Sequence, residues 1–105
     1  MRLLSLCGLA LLVVGCQTGI PEDALALQSV GCFAVVFEAV PAAITEAIVE
    51  RLEVPTIGIG AGPATSGQVL VFHDLLGITT GHMAKFVKRY AEVHETMVAA
   101  VGRYA

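Results

Sequence analysis

The sequence has little charge. Of its 105 residues, six are Lys or Arg and nine are Asp or Glu, which gives a formal net charge of -3 and a pI near 5.5. Proteins that bind nucleic acids or anionic membranes concentrate positive charge, so we predict neither kind of partner from the composition. Intrinsic disorder is excluded as well, because 56% of the residues are hydrophobic and only 14% are charged.

Cysteine is also scarce. The three cysteines are Cys7, Cys16 and Cys32, an odd number with no pair at the CxxC spacing of metal sites. We therefore predict neither a disulfide framework nor a cysteine-based metal site. Cys32 precedes an apolar run and is expected to be a small buried residue.

The mean hydropathy of +0.81 is high for a chain of this length. A short chain buries a smaller fraction of its surface than a long one, so it can hide fewer apolar side chains. Part of the chain is therefore expected either to lie in a membrane or to pack against protein that is not present in this sequence.

The first 15 residues form an apolar run in which Arg2 is the only charged residue. The run is shorter than the ~20 residues that cross a bilayer, and its length fits the apolar core of a secretory signal. Residues 13–16 (VVGC) resemble the lipobox of bacterial lipoproteins, in which Cys16 would carry the lipid. A buried strand or helix, or a wrongly assigned start codon, explains the run equally well. We treat residues 1–22 as a signal-like or unrelated segment.

Beyond residue 22 the pattern alternates between helices and strands. The first predicted helix spans 24–29 and is capped by Asp23, and the first strand spans 33–37, is buried on both faces and ends at Glu38. A second helix runs from Pro41 through Leu52, with an apolar face of Ile44, Ala47, Ile48 and Leu52, and is followed by a strand over 56–59 and a strand-like run over 68–72. The last helix has an apolar stripe of Phe86, Tyr90, Val93, Met97, Val101 and Tyr104. This alternation predicts an α/β fold with a parallel sheet. It supplies about three-eighths of a (β/α)8 barrel, a fold that takes ~250 residues, so the predicted fold is a portion of such a barrel.

Glu38 is the strongest candidate for a catalytic residue. It ends an apolar strand, and a carboxylate there is costly to bury without a partner. Polar residues at the carboxyl ends of barrel strands are where active sites are built, which suits Glu38 to the role of general base. The alternative is a strand-end glutamate that reaches solvent or caps the helix near Pro41.

Three glycines, Gly58, Gly60 and Gly62, follow or interrupt the 56–59 strand. A dinucleotide site needs GxGxxG at the start of a helix, whereas Pro63 and a loop follow here. Close packing against a neighbouring segment is the preferred interpretation.

Other polar residues near the carboxyl terminus have weaker signals. His73, Asp74 and His82 include ligand types that suit divalent metals, but their spacing matches no established site, so we interpret them as structural loop residues. His94 is expected to face solvent. The basic residues Lys85, Lys88 and Arg89 are interpreted as a solvated face near the start of the last helix.

Three segments resemble ketopantoate hydroxymethyltransferase, also called 3-methyl-2-oxobutanoate hydroxymethyltransferase. They are residues 33–41 (FAVVFEAVP), 54–62 (VPTIGIGAG) and 67–78 (GQVLVFHDLLGI). The resemblance runs from about residue 23 to residue 105, which defines the second predicted segment, a partial barrel. Pro63 and Ala84 stand where the family commonly has Asn and Pro.

The resemblance implies a (β/α)8 barrel of the phosphoenolpyruvate/pyruvate type, assembled as a homo-oligomer in the cytoplasm. It implies transfer of a hydroxymethyl group from 5,10-methylenetetrahydrofolate to 3-methyl-2-oxobutanoate, with Mg²⁺, to give 2-dehydropantoate for pantothenate synthesis. It places the general base at Glu38. The family's metal ligands belong to the half of the barrel that this sequence lacks, so none is assigned here, and the chain alone is expected to be inactive.

Three hypotheses follow. The preferred one is the C-terminal portion of such an enzyme, from a truncated, mispredicted or degenerate gene. The second is a secreted or lipid-anchored binding module without catalysis, attached through Cys16, which gives no account of why the motifs of a cytoplasmic enzyme would be exported. The third is a structural protein that completes or decorates a full-length barrel in an oligomer.

Overall fold

A computed structural model describes residues 3–6, 9–13 and 19–105, and their side chains from residue 19 onward. Within these ranges the strands are β1 (Leu3–Leu6), β2 (Leu9–Val13), β3 (Ala34–Glu38), β4 (Thr56–Ile59) and β5 (Gly67–Gln68), and the helices are α1 (Ile20–Ser29), α2 (Ala42–Val49), α3 (Phe72–Leu75) and α4 (Val93–Tyr104). The chain divides into two compact units, Met1–Val69 and Leu70–Ala105, which we describe separately.

The first unit contains a five-stranded sheet in the order β1-β2-β3-β4-β5. β1 and β2 pair antiparallel, and β2, β3, β4 and β5 pair in parallel. The prediction of a mixed α/β structure with a parallel sheet is thus confirmed. One interpretation of the first apolar run was a strand or a helix, and the structure has strands at residues 3–6 and 9–13. Cys7 and residues 14–18, with the predicted lipid-anchor residue Cys16, lie outside the described residues.

The core of this unit lies between the sheet and its two helices. Val35 and Phe37 of β3 are fully buried and pack in one cluster with residues of α1 and α2. Successive side chains of a strand point to opposite faces, so Val36 and Glu38 face away from the helices. Both are only half-buried. The expectation that β3 is buried on both faces is therefore met only in part among the described side chains, because Ala34 on this face is buried whereas Val36 is half-buried.

Helix α1 begins at Ile20, four residues earlier than predicted. Its buried residues Ile20, Ala24 and Leu27 lie one helical turn apart, so burial of Ile20 extends the helix toward the amino terminus. The N-cap is Gly19, and no side chain caps the helix, so the prediction that Asp23 caps it is wrong. Asp23 instead lies in the first turn, where a carboxylate interacts favourably with the helix dipole.

The carboxyl terminus of α1 forms a Schellman motif around Gly31. The Gly31 N–H donates to the Gln28 carbonyl (3.0 Å) and the Cys32 N–H donates to the Leu27 carbonyl (3.1 Å). Gly31 has a φ of 91°, the left-handed conformation that this motif requires. Cys32 and Leu27 are both buried in the core, so the predicted burial of Cys32 is confirmed.

Replacing Gly31 with alanine is expected to lower the free energy of unfolding by about 1 kcal/mol. A Cβ at this position would meet no atom within 4 Å, so the cost comes from the left-handed backbone alone. Urea denaturation of the chain and its Gly31→Ala variant measures this difference. An unchanged midpoint would contradict the strain assigned to this residue.

Helix α2 is shorter than predicted. It ends at Val49, and the next residues turn tightly, with the Arg51 N–H donating to Ile48 and the Leu52 N–H to Val49. Leu52 still packs against the core from outside the helix. Within α2, Ala47 is exposed and Thr45 is fully buried, which corrects the predicted apolar face.

The second unit contains α3 and α4. The predicted strand over 68–72 is wrong beyond Gln68, because Phe72 already begins α3. The last helix begins only at Val93, so Phe86 and Tyr90 lie outside it. Their region is not helical because backbone N–H groups there bond to the end of α3, with Tyr90 donating to the Leu75 carbonyl and Val93 to the Leu76 carbonyl.

None of the helices that the structure describes is both long enough and apolar enough to cross a membrane.

Candidate active site

Glu38 is the last residue of β3, at the carboxyl end of the parallel strands. Its register partner on β4 is Ile59, so the two side chains lie next to each other on the face that the helices leave open. The Glu38 side chain is half-buried. A carboxylate held this way, beside an apolar neighbour and open on one side, is suited to accept a proton from a bound molecule.

The residue after Glu38 has an unusual backbone conformation. Ala39 has a φ of 54°, the only positive φ among the described non-glycine residues. Such a conformation costs about 1 kcal/mol or more and persists where its surroundings enforce it. The Ala39 N–H donates to the Ile59 carbonyl at 2.9 Å, which fixes the turn to the end of β4.

The other side of this turn is anchored by α2. Val40 is 1% exposed, and Pro41 is the N-cap of the helix. The Pro41 carbonyl accepts hydrogen bonds from the Ile44 N–H (2.9 Å) and the Thr45 N–H (3.0 Å). Glu38 therefore precedes a turn that is held at both ends by backbone hydrogen bonds.

The glycine-rich loop after β4 packs against the start of α2. Gly62 has a φ of 80°, and a Cβ built on it would lie 2.5 Å from the Ala42 Cβ and 3.0 Å from the Ala42 Cα. On β4 itself, a Cβ at Gly58 would lie 2.6 Å from the Thr65 Oγ1. These two glycines allow close approach of neighbouring segments, as the sequence analysis predicted, and Gly62 faces α2 rather than an open cradle.

A network of hydroxyl and amide groups joins β4 to β5. Parallel strands are normally connected through a dozen or more residues, whereas only residues 60–66 separate these two. Ser66 and Thr56 exchange hydrogen bonds between side chains and backbone N–H groups at 3.1 and 3.2 Å. The Gln68 Nε2 donates to the Gly62 carbonyl at 2.9 Å and to the Thr65 Oγ1 at 2.8 Å.

Sequence reasoning missed Thr65 and Gln68 as residues of this site, because Thr65 lies in a polar loop and Gln68 only begins the predicted strand-like run over 68–72. The available signal was Gly58, since a glycine inside a strand marks a place where other atoms approach the backbone closely. The atoms that approach it are those of these two side chains.

The structure does not bring His73, Asp74 and His82 together as a metal site. Across residues 19–105, no group of three or more His, Cys, Asp or Glu side chains could hold a metal ion. Asp74 accepts a hydrogen bond from the Thr79 hydroxyl at 2.5 Å, while the His73 and His82 side chains are exposed. The carboxylate of Asp74 thus has a structural role in its loop.

The basic residues before α4 do not all face solvent. Lys85 and Lys88 are exposed, as predicted, and the Lys88 ammonium lies 5.0 Å from the centre of the Tyr90 ring. Arg89 differs, because its guanidinium donates to the Thr79 carbonyl at 3.1 Å and pairs with Glu92 at 3.2 Å. Arg89 therefore ties its loop together, and its interpretation as part of a solvated face is wrong.

His94 is exposed, as predicted. It lines a depression on α4 with Met97, Val98 and Val101. The lining is almost entirely apolar and contains no carboxylate.

The resemblance implies Mg²⁺, which needs a suitable set of ligands near Glu38. Magnesium prefers several oxygen ligands, usually carboxylates with water. Glu38 is the carboxylate at this end of the parallel strands, and no second or third acidic side chain joins it among residues 19–105. The described residues therefore do not by themselves fit a magnesium site.

A half-buried glutamate at the carboxyl end of a parallel strand, followed by a constrained turn and a glycine loop, defines an α/β protein with a candidate acid–base site. The model of the family described as ketopantoate hydroxymethyltransferase matches residues 16–105, and the chain belongs to this family. The match begins seven residues before the boundary expected at residue 23.

Curated relatives carry the name 3-methyl-2-oxobutanoate hydroxymethyltransferase. The protein of Pelobacter propionicus is 52% identical over 85 residues, which cover 81% of this chain and 32% of the relative. The protein of Trichlorobacter lovleyi is 54% identical over 83 residues, covering 79% of this chain and 31% of the relative. The chain therefore spans about one third of the length of these relatives.

Proposed function

We propose that this chain forms the part of a 3-methyl-2-oxobutanoate hydroxymethyltransferase that supplies the general base, Glu38. The observation that carries the proposal is the position of this carboxylate. It ends a parallel strand on the face opposite the helices, before a turn held by the Ala39–Ile59 hydrogen bond. The names of the curated relatives support the reaction.

In this proposal the sheet is a portion of a (β/α)8 barrel. The face that carries Val36 and Glu38 would be the barrel interior, and α1 and α2 would belong to the outer ring of helices. Active sites of such barrels lie at the carboxyl ends of the strands, where Glu38 is found.

The proposed chemistry is proton abstraction followed by carbon–carbon bond formation. The Glu38 carboxylate removes the proton from C3 of 3-methyl-2-oxobutanoate, and the electron pair of that C–H bond becomes the enolate. The enolate then attacks the one-carbon unit of 5,10-methylenetetrahydrofolate. Both C–N bonds of that carbon break, one water supplies the oxygen of the new hydroxyl group, and the two nitrogens receive the proton taken by Glu38 and one proton of the water. The products are 2-dehydropantoate and tetrahydrofolate. Ile59, beside Glu38 on the same face, would help to keep water from the carboxylate.

The remaining features of the proposal follow from family membership. They are a keto acid as the small-molecule substrate, a homo-oligomeric assembly and a cytoplasmic location. The lipid-anchored alternative finds no support in the comparisons, because the family match already includes residue 16, the cysteine it would use.

A chimera tests the proposal. Residues 20–105 of this chain replace the matching third of the Pelobacter propionicus relative, and formation of 2-dehydropantoate is measured with both substrates. We expect kcat/KM within about tenfold of the intact relative. A tenfold change corresponds to a loss of about 1.4 kcal/mol of transition-state stabilisation. A chimera that folds and assembles like the relative but makes no product would overturn the proposal.

A further inference from the structure

The Gln68 side chain is connected to Glu38 through a short series of contacts. Gln68 is exposed and lies in register with Gly58, whose own partner on β3 is Phe37. Residues in register share a face, so Gln68 lies on the side of the sheet that carries the helices and does not reach the face of Glu38. An influence on Glu38 must therefore pass through other groups.

The first connection runs from Gln68 to the glycine loop. The Gly62 carbonyl can only accept a hydrogen bond, so the Gln68 amide nitrogen, and not its oxygen, must face it. The second hydrogen of the same nitrogen is donated to the Thr65 Oγ1, whose own hydrogen is donated to the Gly67 carbonyl at 2.9 Å. Both donors of the Gln68 amide are thus used, and their direction is determined.

The second connection runs from the loop to the turn. Gly62 lies against Ala42, the first residue of α2, which comes four positions after Glu38. At the other end of the loop, the Ile59 carbonyl accepts from the Ala39 N–H at 2.9 Å. The loop between Ile59 and Gly62 therefore touches the turn after Glu38 at both of its ends.

The strained backbone of Ala39 needs these contacts. A non-glycine residue stays in the left-handed region only where neighbouring structure holds it. If the loop moves, Ala39 is free to return to an ordinary conformation, and the turn that directly follows Glu38 is no longer held.

We propose that Gln68 is a positioning residue that holds the turn directly after Glu38, through its contact with Gly62 and the strained backbone of Ala39. The importance of this role rests on the proposed function, in which Glu38 is the base. The role itself is a property of the backbone and is measurable without substrate.

The test is amide hydrogen exchange in the 105-residue chain, followed by NMR. Gln68→Met keeps the length of the side chain and removes both hydrogen bonds. Loss of one or two such bonds is expected to raise the exchange rate of the Ala39 N–H by about tenfold. Gln68→Asn is too short to reach Gly62 and is expected to give the same increase, so it replaces the methionine variant if that variant fails to fold.

Gln28 provides a matched control on the same unit. Its Oε1 accepts hydrogen bonds from the Glu53 N–H (2.7 Å) and the Val54 N–H (3.2 Å). Gln28→Met therefore also removes two hydrogen bonds of a glutamine side-chain amide. We expect faster exchange at Glu53 and Val54 and an unchanged rate at Ala39. The ¹³C resonance of the Glu38 carboxyl is expected to shift in Gln68→Met and not in Gln28→Met.

Rescue separates positioning from general loosening. Gln68→Lys restores a nitrogen that donates to Gly62 and Thr65, and the exposed position leaves room for its extra length. Its Ala39 exchange rate is expected to stay within about twofold of the parent, against the tenfold increase in Gln68→Met. Equal Ala39 rates in the parent and Gln68→Met, or equal increases in Gln68→Met and Gln28→Met, would overturn the proposal. Failure of Glu38 as a base would leave these exchange rates unaffected.

Discussion

Glu38→Gln in the chimera with the Pelobacter propionicus relative is expected to lower the rate of proton exchange at C3 of 3-methyl-2-oxobutanoate by 10² to about 10⁴. Glutamine keeps the size and the hydrogen-bonding oxygen of the side chain but cannot accept the proton. The measurement is loss of the C3 proton signal in D₂O by NMR, without the one-carbon donor, so that only the first step of the reaction is observed.

Glu46→Gln is the matched control for this experiment. Glu46 lies on α2 and is exposed, so the same substitution there removes a carboxylate that is not located at the carboxyl ends of the strands. We expect unchanged exchange at C3 in this variant. Undiminished exchange in Glu38→Gln would remove Glu38 from the role of base, and equal losses in both variants would point to a general effect of charge.

The largest effect on stability is expected for Gly62→Ala, about 3 kcal/mol of lost unfolding free energy. The added Cβ would be forced against the Ala42 Cβ and Cα at the start of α2, and overpacking of this kind costs ~1–3 kcal/mol. The left-handed φ of 80° adds about 1 kcal/mol for any residue other than glycine. Urea denaturation measures the sum.

Two other glycines separate these costs. Gly31→Ala has the left-handed strain without a clash, and Gly67→Ala has neither, since its Cβ would meet nothing within 4 Å. Gly62→Ala should therefore lose clearly more stability than Gly31→Ala, and Gly67→Ala least. Combining Gly62→Ala with Ala42→Gly removes one of the clashing atoms and is expected to recover part of the loss. Similar values for Gly62→Ala and Gly31→Ala would show that the loop yields and that the contact with α2 is loose.

The bounds of strands β3 and β4 could be predicted closely because each strand coincides with an uninterrupted run that contains neighbouring β-branched residues. Val35 and Val36, or Thr56 and Ile57, favour extended backbone locally, and the sheet requires the same conformation. Local preference and tertiary structure agree there. Glu38 stands out as a candidate for the same reason, since a charged residue that ends such a run is visible without any structure.

The start of α4 could not be predicted, because the pattern and the backbone disagree. Phe86 and Tyr90 continue the three- and four-residue spacing of the helix toward the amino terminus. The Tyr90 and Val93 N–H groups nevertheless donate to the carbonyls of Leu75 and Leu76 at the end of α3, which no local pattern reveals. Tertiary hydrogen bonds took the place of helical ones.

The constrained turn after Glu38 was also out of reach of the sequence. Alanine is an unremarkable residue at position 39, and only its φ of 54° and its bond to Ile59 make it informative. The role of Gln68 depends on the loop conformation that brings its amide to Gly62. Contacts of this kind join residues whose separation in sequence follows no periodic pattern.

The exposed apolar surface of α4 has a thermodynamic consequence. The helix has 12 residues, and Met97, Val98 and Val101 are 51%, 57% and 66% exposed. Isolated helices shorter than ~12–15 residues are marginal in water, so the coil is a close competitor of this helix. A molecule that binds only the helical form, present at a concentration ten times its dissociation constant, shifts the helix–coil equilibrium toward the helix by about 1.4 kcal/mol. The helix content of residues 93–104, measured residue by residue from NMR chemical shifts, therefore depends on how much of this surface is covered.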